Sequence, residues 1–100
     1  DVIIFSEFEK SDLIKIGEKF LNQLKRRIGE IGIDIYFSDS LIAFISDTPE
    51  TKKYGARPIK RRVTELIENK LASMILNNEL KSGDRVNVDY LENNIKLKIR

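Results

Sequence analysis

One hundred residues is the length of a single domain, enough to bury a core without help from metals or disulfides. Hydrophobic residues at 41% and charged residues at 34% exclude a disordered chain, while zero Cys and zero His exclude a disulfide framework, thiolate chemistry and the commonest general base. The net charge of +2 is too small to argue for nucleic acid, but it is unevenly spread. Residues 1–50 carry six Lys/Arg against ten Asp/Glu, and residues 51–100 carry twelve against six.

The chain opens on Val2-Ile3-Ile4-Phe5, a β-branched apolar run that reads as an edge strand or connector over residues 1–8. Ser11 then caps a helix over about 12–29, with Leu13, Ile16, Phe20, Leu24 and Ile28 at helical spacing and Ile14 and Leu21 widening the stripe. Gly29 and Gly32 end it. Ile33, Ile35 and Phe37 alternate with Asp34 and Tyr36 as a half-buried strand, and Ser38 caps a shorter helix from Asp39 to Ile45. Ser46 to Gly55 reads as a loop. Pro58 suits the first position of a third helix, along which Ile59, Val63, Leu66, Ile67, Leu71, Met74 and Ile75 form a long stripe. After the turn Ser82-Gly83-Asp84, Val86, Val88 and Tyr90 alternate with polar residues, as do Ile95, Leu97 and Ile99, so Leu91 to Asn94 joins two strands as a hairpin. Such a sheet needs helices on one face. The expected fold is α+β, one domain over residues 1–100, with a three-stranded sheet and about three packed helices.

No apolar run approaches the ~20 residues needed to cross a bilayer, and the N-terminus has neither the basic flank nor the apolar core of a signal peptide. The sequence also contains no phosphate loop, no Gly-rich dinucleotide fingerprint and no metal-ligand cluster. Its unusual place is the start of the third helix. Six cations, Lys52, Lys53, Arg57, Lys60, Arg61 and Arg62, fall between Glu50 and Glu65 with no acid among them. Arg57 stands at the expected cap, where helices normally take Ser, Thr, Asp or Asn with acids behind. A cation at the positive end of a helix invites an anion, and phosphate matches both guanidinium and N–H groups. The alternatives are an ion pair of Arg57 with a carboxylate such as Glu50, or a solvated basic face.

The run Tyr54-Gly55-Ala56-Arg57-Pro58-Ile59-Lys60-Arg61 resembles the Gly-Ala-Arg-Pro sensor-two motif of Clp-type AAA+ unfoldases, in the second ATPase module of ClpB, ClpC and ClpA. Asp1 to Phe5 is similar to that family's opening strand, Gln23-Leu24-Lys25-Arg26-Arg27 to the end of its first small-domain helix, and Ile67 to Ala72 with Ile75-Leu76 continues the likeness. Thr48-Pro49-Glu50-Thr51-Lys52-Lys53 departs from the Gly-Tyr-Asp-Pro-like lead-in of many relatives.

The resemblance implies the C-terminal small lid domain of an ATPase whose phosphate loop, Mg²⁺ site and hydrolytic acids lie on a large domain. It implies that Arg57 contacts the terminal phosphates of ATP or ADP in a catalytic role, that Gly55 permits a tight backbone approach, and that Ala56 and Ile16 line an adenine pocket. For Ala56 and Ile16, ordinary core packing explains the residues equally well. Lys60, Arg61 and Arg62 face either the next subunit or solvent. The implied partners are the large AAA+ domain of the same chain and of a neighbour in a homo-hexamer, substrate proteins and a ClpP-type peptidase. The implied compartment is the bacterial cytoplasm or an organelle of bacterial origin. On this reading the chain alone hydrolyses no ATP. The competing readings are a small nucleic-acid-binding module built on Lys52 to Arg62, in which only Tyr54 offers a ring for stacking, and a protein-interaction domain.

Overall fold

The computed structural model describes residues 8–99, so the strand expected over Val2 to Phe5 lies outside the described residues. The first helix, α1, is Lys10–Gly29. It starts earlier than the Ser11 cap predicts: Glu9 occupies the cap position with an extended backbone and no side chain caps the end. Its buried face runs Leu13, Gly17, Leu21, Leu24, Ile28. Ile16 and Phe20, expected at the centre of the stripe, are half-buried on its flank. The rotation has a steric cause at Gly17. A Cβ there would collide with the Ser46 side chain, so the bare backbone lets the next helix cross closely and centres the contact on residue 17.

Gly32, at φ 97°, turns the chain from α1 into strand β1, Asp34–Phe37. β1 pairs in parallel with β2, Arg85–Leu91, through Ile35 opposite Val86 and Phe37 opposite Val88. β2 pairs antiparallel with β3, Asn94–Ile99, through Val88 opposite Leu97 and Tyr90 opposite Ile95. The hairpin expected at Leu91 to Asn94 closes with Glu92 and Asn93 both at positive φ, 53° and 62°, the conformation whose twist matches paired strands. The strand order is β1-β2-β3, and period-two alternation divides its faces. Ile33, Ile35, Val86 and Val88 are buried under the helices, while Asp34, Tyr36, Arg85, Lys96 and Lys98 lie on the exposed face.

Helix α2, Asp39–Ser46, is capped by Ser38, whose hydroxyl accepts from Leu41 N at 3.2 Å. The last four carbonyls of a helix lack partners within it, and in α2 all four are satisfied. Ala43 O accepts from Asp47 N at 2.9 Å, Phe44 O from Arg62 Nη2 at 2.8 Å, Ile45 O from Arg62 Nε at 3.1 Å, and Ser46 O from Thr51 Oγ1 at 2.6 Å.

The loop expected from Ser46 to Gly55 contains a further short helix, α3, Pro49–Tyr54. Thr48 and Thr51 form a reciprocal capping box, and Pro49 sits in the first turn, where its missing N–H costs nothing. Beyond Gly55 come α4, Ala56–Arg62, a π-helical turn over Val63–Glu68, and α5, Asn69–Leu76, in direct succession. The buried side chains Ile59, Val63, Ile67 and Leu71 recur every four residues. In an α-helix each such step rotates the face by about 40°. The wider π turn removes part of that drift and keeps the stripe on the core. One core results, drawn from α1, β1, α2, the α4 to α5 rod, Leu80 and β2.

Candidate functional site

The site is a corner between α3 and α4. Thr51 anchors it: it is fully buried, and its hydroxyl donates to Ser46 O while accepting from Thr48 N at 2.8 Å. The chain then turns through Gly55 at φ 72° and ψ −120°, a backbone conformation that only glycine adopts without strain. A Cβ on Gly55 would lie 2.7 Å from the Phe8 ring. Phe8 is held against α3 by its N–H, which donates to Lys52 O at 3.0 Å.

α4 begins at Ala56 with Gly55 in the cap position and no capping side chain, so Arg57 stands in its first turn instead of at the cap and Pro58 follows it. Pro58 and Ile59 are buried and fix the helix on the core. Ala56 and Arg57 point outward and line a groove of about 550 Å³ together with Phe8, Glu50, Tyr54, Pro58 and Arg61. Three of the four residues that the motif resemblance marked thus meet at one place, Gly55 shaping the corner and Ala56 and Arg57 the groove. Ile16 is not among the lining residues; it is half-buried beside the core.

The basic run is not one uniform face. Arg62 turns inward: besides its bonds to α2, its guanidinium lies 4.8 Å from the centroid of the Phe44 ring, which stacks on Tyr90 at 3.9 Å. Burial pulls the Arg62 guanidinium below its ordinary pKa. Neither solvent nor a neighbouring subunit therefore has free use of it, which corrects the reading of Arg62 as part of an outward cationic face. Glu50, considered as a partner for Arg57, instead takes Arg61, whose Nη2 donates to both carboxylate oxygens at 2.7 and 2.8 Å. The hydrogen bonds and then the charge of Glu50 raise the Arg61 pKa. Lys52 lies 3.9 Å from Asp47. Among the described residues Arg57 makes no hydrogen bond or ion pair, so the groove presents one uncommitted guanidinium. Of the six cations Arg62 is thus partly withdrawn from the surface, while Arg57 and Arg61 share the groove.

Phe8, Glu50 and Arg61 were not singled out by sequence as groove residues. The signal for the ion pair was weak, since Glu50 is aimed at Arg61 by the unforeseen helix α3, on which it lies. Among the described residues no group of three or more His, Cys, Asp or Glu side chains gathers to hold a metal ion. None of the described helices is long and apolar enough to cross a membrane.

Residues 8–88 match the family of the C-terminal, D2-small domain of ClpB protein. This chain belongs to that family. Among similar proteins, chloroplastic chaperone protein ClpD2 of Oryza sativa subsp. japonica is 38% identical over 89 residues, 89% of this chain and 10% of that protein. Chaperone protein ClpB of Helicobacter hepaticus is 37% identical over 87 residues, 87% of this chain and 10% of that protein. ClpB of Lactococcus lactis subsp. lactis is 32% identical over all 100 residues, 12% of its length. The D2-small domain described here thus spans about a tenth of the relatives it matches, which include bacterial and chloroplastic proteins.

Proposed function

We propose that this D2-small domain is the nucleotide-responsive lid of a Clp chaperone ATPase, in which Arg57 meets the terminal phosphates of ATP or ADP. The observation that carries the reading is the Arg57 guanidinium, without a partner among the described residues, in a groove that also offers the exposed Tyr54 and Phe8 rings. A guanidinium presents planar donors suited to phosphate oxygens, and none of the described carboxylates engages this one. Ala56 is exposed and small beside it, which suits close approach of a ligand, while Gly55, buried against the Phe8 ring, sets the turn. Ile16 would contribute to the adenine pocket only from the flank of α1, outside the groove.

The nucleotide, with its Mg²⁺, would lie between this lid and a large ATPase domain of the same chain that supplies the phosphate loop and hydrolytic residues. Thr51, Gly55, Pro58 and Ile59 are all buried, which seats α3 and α4 on the rest of the domain, so a pull on Arg57 would move the lid as a body. In a homo-hexamer, that motion passes to the large domain of a neighbouring subunit. The output is unfolding or disaggregation of substrate proteins under stress, with delivery to a ClpP-type peptidase as one variant, in the bacterial cytoplasm or an organelle of bacterial origin.

The test is Arg57→Ala in the full-length protein. ATP turnover is expected to collapse while the thermal unfolding of the domain is unchanged. Surviving turnover combined with a destabilised domain would make Arg57 a structural residue and end this reading.

A further inference from the structure

Arg57 and Arg61 are one helical turn apart on α4, a spacing that puts two side chains on the same face, and both line the groove. Two like charges at this spacing repel. Among the described residues Glu50 is the one acid lining the groove; it reaches across from α3 and engages Arg61 through both oxygens, and Arg57 has no partner among those residues. The pair is no buried structural bridge. The Arg61 and Glu50 side chains are 52% and 48% exposed, and exposed ion pairs are weak. A polyphosphate entering beside Arg57 brings several negative charges within reach of Arg61 and competes with a single carboxylate for it.

We propose that Arg61 is a second anion ligand of the groove, held in reserve by Glu50, which acts as a tethered counter-anion and sets how much charge a ligand must bring to bind. This rests on the reading of Arg57 as a phosphate contact and adds to it the class of ligand preferred, an extended polyphosphate over a single phosphate. When such a ligand binds, Arg61 exchanges the Glu50 oxygens for phosphate oxygens, and Glu50 is released to solvent. No bond is made or broken other than hydrogen bonds.

The experiment measures the dissociation constants of ATP, ADP and inorganic phosphate for the full-length protein carrying Glu50→Gln, Arg61→Gln, both together, or Arg61→Lys. Glu50→Gln removes the competitor and is expected to tighten ATP about three- to tenfold, with less effect on ADP and least on phosphate. Arg61→Gln is expected to weaken ATP by a similar factor, and Arg61→Lys to retain most of the affinity. Adding Glu50→Gln to Arg61→Gln is expected to change nothing further, because the residue that Glu50 restrains is gone. If Glu50→Gln leaves ATP affinity unchanged or weakens it, the inference is overturned. Arg57→Ala separates the two levels. If it weakens ATP while the Glu50 and Arg61 variants are silent, only the reserve role of Arg61 fails; if Arg57→Ala is also silent, the phosphate reading of the groove fails with it.

Discussion

Arg62 donates to the carbonyl of Phe44 at 2.8 Å while its guanidinium lies 4.8 Å from the centroid of that residue's ring. A cation at the C-terminal end of α2 meets the negative pole of the helix, and here it also closes two of the four otherwise unpaired carbonyls. Arg62 therefore acts on stability, in contrast to Arg57 five residues earlier.

Arg62→Ala should destabilise the domain by about 1 to 3 kcal/mol, the range for losing hydrogen bonds to a charged group and leaving carbonyls unpaired. Arg62→Lys should recover little, because an ammonium cannot reach two adjacent carbonyls as a fork and stack on Phe44. Urea unfolding of the 100-residue chain measures both. A midpoint unchanged by Arg62→Ala would show that water replaces the guanidinium without loss.

Arg57, Arg61 and Arg62 show how far sequence reading goes. Helix periodicity located α1, α2 and the rod from α4 to α5, and alternation located all three described strands, because burial on one face leaves a regular imprint. Periodicity is blind to glycine, and Gly17 carries no apolar weight although it is buried directly against Ser46 of α2. α3 spans only Pro49–Tyr54, too short to show a period, and its one legible sign was Thr48 and Thr51 bracketing Pro49. The π turn leaves no residue signature and shows only as a four-residue spacing sustained too long for an ideal helix. Within the site, Gly55, Ala56 and Arg57 were legible from their motif. The separate fates of Arg57, Arg61 and Arg62 were not, since charge composition records neither the angle each residue takes around a helix nor the partner that α3 brings.

Gly17→Ala tests the helix crossing. In an open helix this change stabilises by about 0.5 to 1 kcal/mol, because glycine has the greater backbone entropy to lose. Here the new methyl meets the Ser46 side chain, whose hydroxyl is buried without a hydrogen-bond partner among the described residues. The expected result is a loss of about 1 to 3 kcal/mol from overpacking. Ser46→Ala should be neutral or stabilising, since it removes an unsatisfied buried hydroxyl. Combined with Gly17→Ala it should restore much of the loss, although a methyl at residue 17 would still lie about 3.1 Å from the Cβ of residue 46. A thermal-unfolding double-mutant cycle reads the coupling; strictly additive effects would place the strain elsewhere.

Gly55→Ala should damage fold and groove together. A non-glycine residue at φ 72° and ψ −120° costs about 1 to 3 kcal/mol, and its methyl would displace the Phe8 ring that walls the groove. Lower stability in urea should therefore accompany weaker nucleotide binding by the full-length protein. Binding that holds while stability falls would detach the shape of this corner from ligand recognition.

Arg57→Ala should do the reverse of Arg62→Ala. The Arg57 side chain is outward and without a protein partner among the described residues, so its removal takes nothing from the core. A cation also leaves the positive end of a helix, which should raise stability by a few tenths of a kcal/mol if it changes at all. In the full-length protein, a guanidinium aimed at the terminal phosphates strengthens its hydrogen bonds as charge redistributes during phosphoryl transfer. By analogy with losing one preorganised donor, ATP turnover should fall about 10² to 10³-fold, roughly 3 to 4 kcal/mol, with nucleotide affinity falling less. Arg57→Lys should restore only part of the rate, since a point charge replaces a planar pair of donors. Steady-state ATPase and nucleotide titration on the same variants separate kcat from binding. Equal losses in kcat/KM and in affinity, with kcat intact, would assign Arg57 to ground-state binding alone and remove it from the chemical step.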